Sequence, residues 1–195
     1  MNFLKRNFLT AGLLTGVALP ALAQGASRRA PITGPGLLTV TGAIGRPNRG
    51  PFNPVLDQMM SKQKISFDKA HVFDFAALSQ LKAITIKPTL EYDNKVHTLT
   101  GPLLVDVLKA AGAAPDDKAV LKLRAVDGYS PTLTFGEARE WRFIVATHID
   151  GQPLHVGGLG PLWAVFDADR VAAFAVKPVD QRFAQCPWGL YHIEV

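Results

Sequence analysis

Between Arg142 and Phe166 the chain packs three short apolar segments close together, and this stretch most limits what it can become. R-F-I-V-A-T-H-I reads as one β-branched strand, Arg142–Ile149, that runs into Asp150-Gly151 and is hairpinned to Gln152–Val156, Q-P-L-H-V. Both residues of an Asp-Gly pair tolerate positive φ, so the pair specifies a two-residue hairpin turn. Residues 157–161, G-G-L-G-P, then feed L-W-A-V-F, a continuous apolar run of strand length. Upstream, L-K-L-R-A-V reads as a strand that runs into D-G-Y-S. Irregular backbone and polar groups gather at Asp127–Ser130 and at Gly157–Pro161, which makes them the candidate ligand-facing segments.

The other elements arrange themselves around this block. Leu37–Ile44 alternates as a first strand, and Gly45–Pro54 is rich in breakers and reads as a loop. A short helix is predicted over Leu56–Lys64 and an extended segment over Ile65–Phe73. Asp74 suits the N-cap of a helix running to Leu81. Ala83–Tyr92 reads as a strand, and Asp93-Asn94-Lys95 is turn chemistry returning through Val96–Leu99. Leu103, Leu104, Val107, Leu108 and Ala111 fall at helical spacing, with Pro102 suited to the first helical position and Gly112 to the stop. Thr134 and Glu137 have the spacing of a capping box. Val171–Val176 and Tyr191–Val195 read as further strands. Many strands with two or three inserted helices make an α+β domain, not an alternating βαβ one.

The first residues have a different character. Lys5 and Arg6 precede an apolar run from Phe8 to Leu19, and Ala21-Leu22-Ala23 has the small residues of a cleavage site. The run is shorter than the roughly 20 residues that span a bilayer. Residues 1–23 are therefore expected to be a signal peptide, 24–36 a flexible basic linker and 37–195 one domain. No transmembrane segment is expected after cleavage, and the expected location is the periplasm. Lys5-Arg6-Asn7-Phe8-Leu9 is similar to a twin-arginine motif with lysine in the first place, so that route and the general secretory route both stay open. About 170 residues suffice for a real core, and a single cysteine, Cys186, allows no intrachain disulfide. The net charge of +5 falls by two when Lys5 and Arg6 are lost. The remaining basic residues crowd the start of the mature chain, which with export argues against a nucleic-acid surface.

Single residues were weighed as chemistry against packing. Asp127, Gly128, Tyr129 and Ser130 offer a carboxylate, close backbone approach, a phenol and a hydroxyl; an Asp-Gly turn with a packed tyrosine accounts for them equally well. Gly158 and Gly160 can present backbone N–H groups to an anion, or can serve only to permit a tight bend. Arg124 and Arg142 suit a phosphate or carboxylate, with exposed surface as the default. His148 and His155 straddle the Asp-Gly turn, where a cross-strand pair is commoner than a zinc site. Trp141, Trp163 and Trp188 are expected in the core or at its rim, and Cys186 is expected to pack. No catalytic set and no metal set is readable.

V-T-G-A-I, F-D-F-A-A-L-S-Q-L, I-T-I-K-P-T-L-E-Y and L-T-G-P-L-L-V-D-V-L-K-A-A-G follow one another in an order that resembles the molybdopterin-binding domain of the sulfite oxidase-like family. R-A-V-D-G-Y-S, I-V-A-T-H-I-D-G-Q-P-L, G-L-G-P-L-W-A-V-F and W-G-L-Y-H-I-E-V continue the likeness from about Leu38 to Val195. The resemblance implies a mixed-sheet α+β fold and a molybdopterin cofactor for two-electron chemistry. It also implies a departure. Catalytic members hold the metal through a cysteine thiolate, and the corresponding position here is close to Thr89. A neutral hydroxyl does not supply a soft anionic sulfur. The implied cofactor cleft lies between Thr89, Asp127–Ser130 and Gly157–Pro161. Two functions follow as expectations. One is an exported molybdopterin-binding oxidoreductase or redox accessory protein with a membrane-bound redox or sensor partner. The other is a non-catalytic binding module that recognises a small anion or a partner protein.

Overall fold

Leu38–Thr41 forms β1, and all four of its residues are buried. It lies second in a five-stranded sheet with β2 (Ala70–Phe73), β5 (Val120–Ala125), β6 (Thr132–Thr134) and β11 (Leu190–Glu194), in the order β2-β1-β11-β5-β6. Only the β1–β11 pair is parallel. The register sets Val40, Ile193 and Leu123 abreast, all in the main core. One residue along, Thr39, His192 and Arg124 form the next row, which alternation turns to the opposite face. That face is covered near α1 (Gln58–Lys62) by a small cluster of Met60, Ile65 and Tyr191. The computed structural model describes residues 32–195. The expected signal peptide and most of the expected linker lie outside the described residues.

A second, four-stranded sheet runs β3 (Ala83–Ile86), β4 (Leu99–Pro102), β8 (His148–Ile149), β9 (Gln152–Pro153). Asp150 and Gly151 take φ of 48° and 79°, giving the predicted two-residue hairpin between β8 and β9. β7 (Ile144–Ala146) pairs antiparallel with β10 (Trp163–Val165) and is wholly buried. β4 crosses close to β7 at Gly101, where a Cβ would fall 2.0 Å from Val145 O, so only glycine fits. The chain is thus mixed α+β with mixed sheets, and residues 31–195 form one compact unit.

The helices are α1, α2 (Phe75–Ser79), α3 (Leu104–Ala110), α4 (Phe135–Glu140) and α5 (Ala172–Ala175). Asp74 caps α2 by accepting from Ala77 N–H at 2.7 Å, and it also accepts from Thr33 and Gly34 N–H at 3.0 Å each. Those backbone donors hold the Asp74 carboxyl below the usual range. At the end of α3, Gly112 N–H bonds Lys109 O and Ala113 N–H bonds Leu108 O, which satisfies two terminal carbonyls. Thr134 and Glu137 make the full capping box of α4.

Four expectations need correction. Val171–Val176 is a helical turn, not a strand; V-A-A-F-A-V is a short apolar run that periodicity cannot assign, and its alanines favour helix. Pro102 does not begin α3 but ends β4 opposite Ala83, at a place where β8 no longer pairs and no N–H is required. The strand from Ala83 stops at Ile86, because Lys87 and Thr89 N–H turn to the Asp167 and Asp169 side chains. Arg142–Ile149 is not one strand: β7 and β8 belong to different sheets, and Thr147 between them donates its N–H to Thr100 O.

Candidate functional site

Asp127–Ser130 builds the turn that joins β5 to β6. Asp127 Oδ1 accepts from Tyr129 N–H at 2.9 Å, Gly128 N–H bonds Ala125 O, and the Tyr129 hydroxyl donates to Ala184 O. Tyr129 thereby straps the turn to the segment before Cys186. In the glycine-rich segment, Gly158 and Gly160 N–H both bond His155 O at 3.1 Å, so these two donors are engaged inside the loop. Thr89 is engaged as well. Its N–H and its Oγ1 both donate to Asp169 Oδ2, at 2.7 and 2.8 Å, and Arg182 holds the other oxygen of Asp169.

Two neighbouring hollows form where these segments meet. The larger, about 600 Å³, is lined by Gly157–Pro161, Val126, Val156, Tyr92, Trp188 and Tyr191, with Gly36, Leu37 and Met59 on one side. The smaller, about 270 Å³, is lined by Glu91, Asp127, Tyr129, Asp180 and Cys186 among others. Tyr92 and Trp188 belong to both and form the shared wall. Gly158 and Gly160 therefore face the larger hollow, and Asp127 and Tyr129 face the smaller. Gly128, Ser130 and Thr89 line neither. Glu91 and Tyr92, just after Thr89, do reach the smaller one.

Composition divides the two hollows. The larger is aliphatic and aromatic; the smaller carries the carboxyl groups of Glu91, Asp127 and Asp180. No lysine or arginine among the described residues lines either. Met59, Tyr92, Val126, Val156 and Trp188 rank among the exposed large apolar residues of the chain, and they converge here. Exposed apolar residues gathered in this way form a surface suited to contact with a ligand or partner. The Tyr92 phenol is pushed up to about 12, first by burial of its hydroxyl and then by the Glu91 charge, so it stays protonated. Burial also pushes the Cys186 thiol well above the usual thiol range. It is 4% exposed, and its carbonyl accepts the Trp163 indole N–H at 2.9 Å.

The remaining candidates are placed as follows. Trp163 is core, Trp141 stacks on Phe166 and Phe174 at the rim, and Trp188 is the cleft residue of the three. Arg124 is occupied by Glu194 at 2.6 Å and His192 at 2.9 Å. His148 sits opposite Pro153 rather than His155. Among the described residues no three His, Cys, Asp or Glu side chains group to hold a metal ion. Sequence reasoning missed Tyr92 and Tyr191. Tyr92 beside the Asp93-Asn94 turn reads as an ordinary flanking residue, and nothing in the pattern marks it as a wall.

No family model matches the chain, and no curated protein matches it. Among solved structures it is similar to the crystal structure of the sulfane dehydrogenase SoxCD from Paracoccus pantotrophus, with TM-score 0.52 and 12% identity. The likeness covers 80% of this chain and 37% of that one, so the chain spans well under half the length of that neighbour. At this identity the similarity shows a related fold and no more. Over most of its length the chain therefore has a fold related to part of that structure.

Proposed function

We propose that this protein is a redox accessory binding module: it keeps the sulfite oxidase-like fold and takes a planar, uncharged or cationic heterocycle into the cleft walled by Tyr92 and Trp188. One observation carries the reading. The cleft combines aromatic walls with nearby carboxyl groups and no basic residue, while the Thr89 hydroxyl is turned onto Asp169. Ring faces stack on tyrosine and tryptophan, and carboxyl groups accept from ring N–H donors. An anion in the same place would meet Glu91, Asp127 and Asp180 without a counter-charge. The small-anion form of the binding-module expectation is therefore set aside at this cleft.

The molybdenum cofactor itself was tested against the residues present. Its metal needs a soft anionic donor, and the Thr89 hydroxyl is neutral and hydrogen-bonded elsewhere. Cys186 is buried and held protonated. Its phosphate needs cationic or free N–H donors, and the lining offers neither at Gly158 and Gly160. The residues at this cleft do not fit the group. The likeness to part of a dehydrogenase structure is the one observation that favours the expected molybdopterin oxidoreductase, and the lining of this cleft opposes it. Export to the periplasm, by either route, and a membrane-bound redox or sensor partner complete the proposal.

Tryptophan fluorescence tests it. A phosphate-free pterin is expected to quench Trp188 saturably, and Trp188→Ala, followed by the pterin's own fluorescence, is expected to bind it roughly tenfold more weakly, the worth of one aromatic stacking contact. Equal or tighter binding of the phosphorylated pterin, or no quenching by either, would overturn the reading.

A further inference from the structure

A third hollow lies away from the Tyr92–Trp188 cleft. It measures about 410 Å³, within the range of small-ligand sites, and its wall includes Ile86, Glu140, Trp141, Arg142, Asp167 and Arg170. Three separate observations converge on it.

The first is Asp167. The residue is 8% exposed, and its Oδ2 accepts from Lys87 N–H at 3.2 Å. Its Oδ1 is shut off from bulk water and has no hydrogen-bond partner among the described residues. Buried carboxylate oxygens are nearly always paired, so an orphan calls for an explanation. Because Asp167 lines the hollow, a turn of its carboxyl group is what presents Oδ1 to a donor bound there.

The second is Arg142. It occupies the position just past the C-terminus of α4, with φ of 55°. Arg142 N–H bonds Arg139 O and Phe143 N–H bonds Ala138 O, the closing pattern in which glycine is the usual residue. An arginine there carries backbone strain that glycine would not. Strain of this kind is retained where a side chain is needed. The third is charge. Arg142 and Arg170 are exposed at the mouth of the hollow and neither has an ion pair or side-chain hydrogen bond among the described residues, and the lining residues carry two guanidinium and two carboxyl groups beside Trp141.

We infer that this hollow binds a small zwitterion, an α-amino carboxylate of amino-acid or dipeptide size with an apolar side chain. The ligand carboxylate lies against Arg142 and Arg170, where paired N–H donors match its geometry. The ammonium group supplies the donor that Asp167 lacks. The side chain packs on Ile86 and Trp141. A wall of balanced charge fits a ligand whose own charges cancel.

Calorimetric titration of the full mature chain tests this with L-leucine and leucyl-leucine. The controls are N-acetyl-leucine, which lacks the ammonium, leucinamide, which lacks the carboxylate, and inorganic phosphate. A zwitterion is expected to bind, with each capped analogue at least tenfold weaker and phosphate alone weaker still. Arg142→Gly is expected to lose at least tenfold while its thermal midpoint stays level or rises, since glycine suits that φ. Asp167→Asn alters the acceptor of the ammonium, so it is expected to weaken leucine and leucinamide by a similar factor and to leave N-acetyl-leucine, which has no ammonium, unchanged. No binding of either zwitterion, affinity unchanged in Arg142→Gly, or phosphate binding as tightly as leucine would each overturn the inference.

Discussion

His192 gives the clearest handle on what holds the central sheet. It is fully buried in β11, between β1 and β5. Arg124 Nη1 donates to its Nδ1 at 2.9 Å, so that nitrogen carries no proton, and Nε2–H donates to Thr41 Oγ1 at 2.9 Å. The ring is therefore neutral. Burial, then the Arg124 charge, depress its pKa to about 4 from the ordinary 6.5, with Glu194 opposing. The unfolded chain binds this proton more readily than the folded one, so stability is full above pH 6.5 and is lost as pH falls toward 4. At about 1.4 kcal/mol per pH unit the whole window is worth roughly 3 kcal/mol. Carboxyl groups held low, such as Glu194 and Asp150, lose their contribution as pH falls through the carboxylate range, mostly below this window. His97 works in the opposite sense. Asp150 and Asp93 raise its pKa, so its contribution is present at low pH and fades as pH rises through the raised value. Urea unfolding of the wild type and His192→Gln at half-unit steps from pH 7 to pH 4.5 separates these. Glutamine can still donate to Thr41 and accept from Arg124 but does not titrate. The wild type is expected to lose 2 to 3 kcal/mol, roughly, more than the variant across that range. Parallel pH profiles for the two proteins would refute the assignment of a neutral, depressed His192.

Three other outcomes follow from local contacts. Thr134→Ala breaks the capping box of α4 and is expected to lower unfolding free energy by about 1 kcal/mol in urea. Gly101→Ala sets a methyl group against Val145 O and is expected to cost on the order of 3 kcal/mol, since neither strand can move away without unpacking the core. The thiol of Cys186 is expected to react with an aromatic disulfide reagent only at the rate of unfolding, because it is buried and protonated; prompt reaction in the native state would contradict its placement.

Features set by neighbours in the chain were legible. The Asp150-Gly151 hairpin, the Asp74 cap, the Thr134–Glu137 box and the Leu104–Ala110 helix each depend on residues within a few positions of one another. Val171–Val176 is not legible as a helical turn, because an apolar run of six residues carries no usable period. The cleft was legible only in part. Gly158, Gly160, Asp127 and Tyr129 stand out locally and do face the two hollows, yet the wall between them is made of Tyr92 and Trp188, far apart in the chain. Asp169, the partner of Thr89, lies 80 positions away and has no local mark. The same is true of Asp167, whose orphan oxygen only tertiary structure reveals.

The proposed function turns on a cleft whose described lining offers a metal no soft anionic donor. The measurement that decides it is the molybdenum and pterin content of the full chain purified from a molybdenum-replete host. The account predicts protein with far less than one molybdenum per chain and no oxidised-pterin fluorescence of the phosphorylated cofactor. One molybdenum and one molybdopterin per chain, retained through purification, would contradict it.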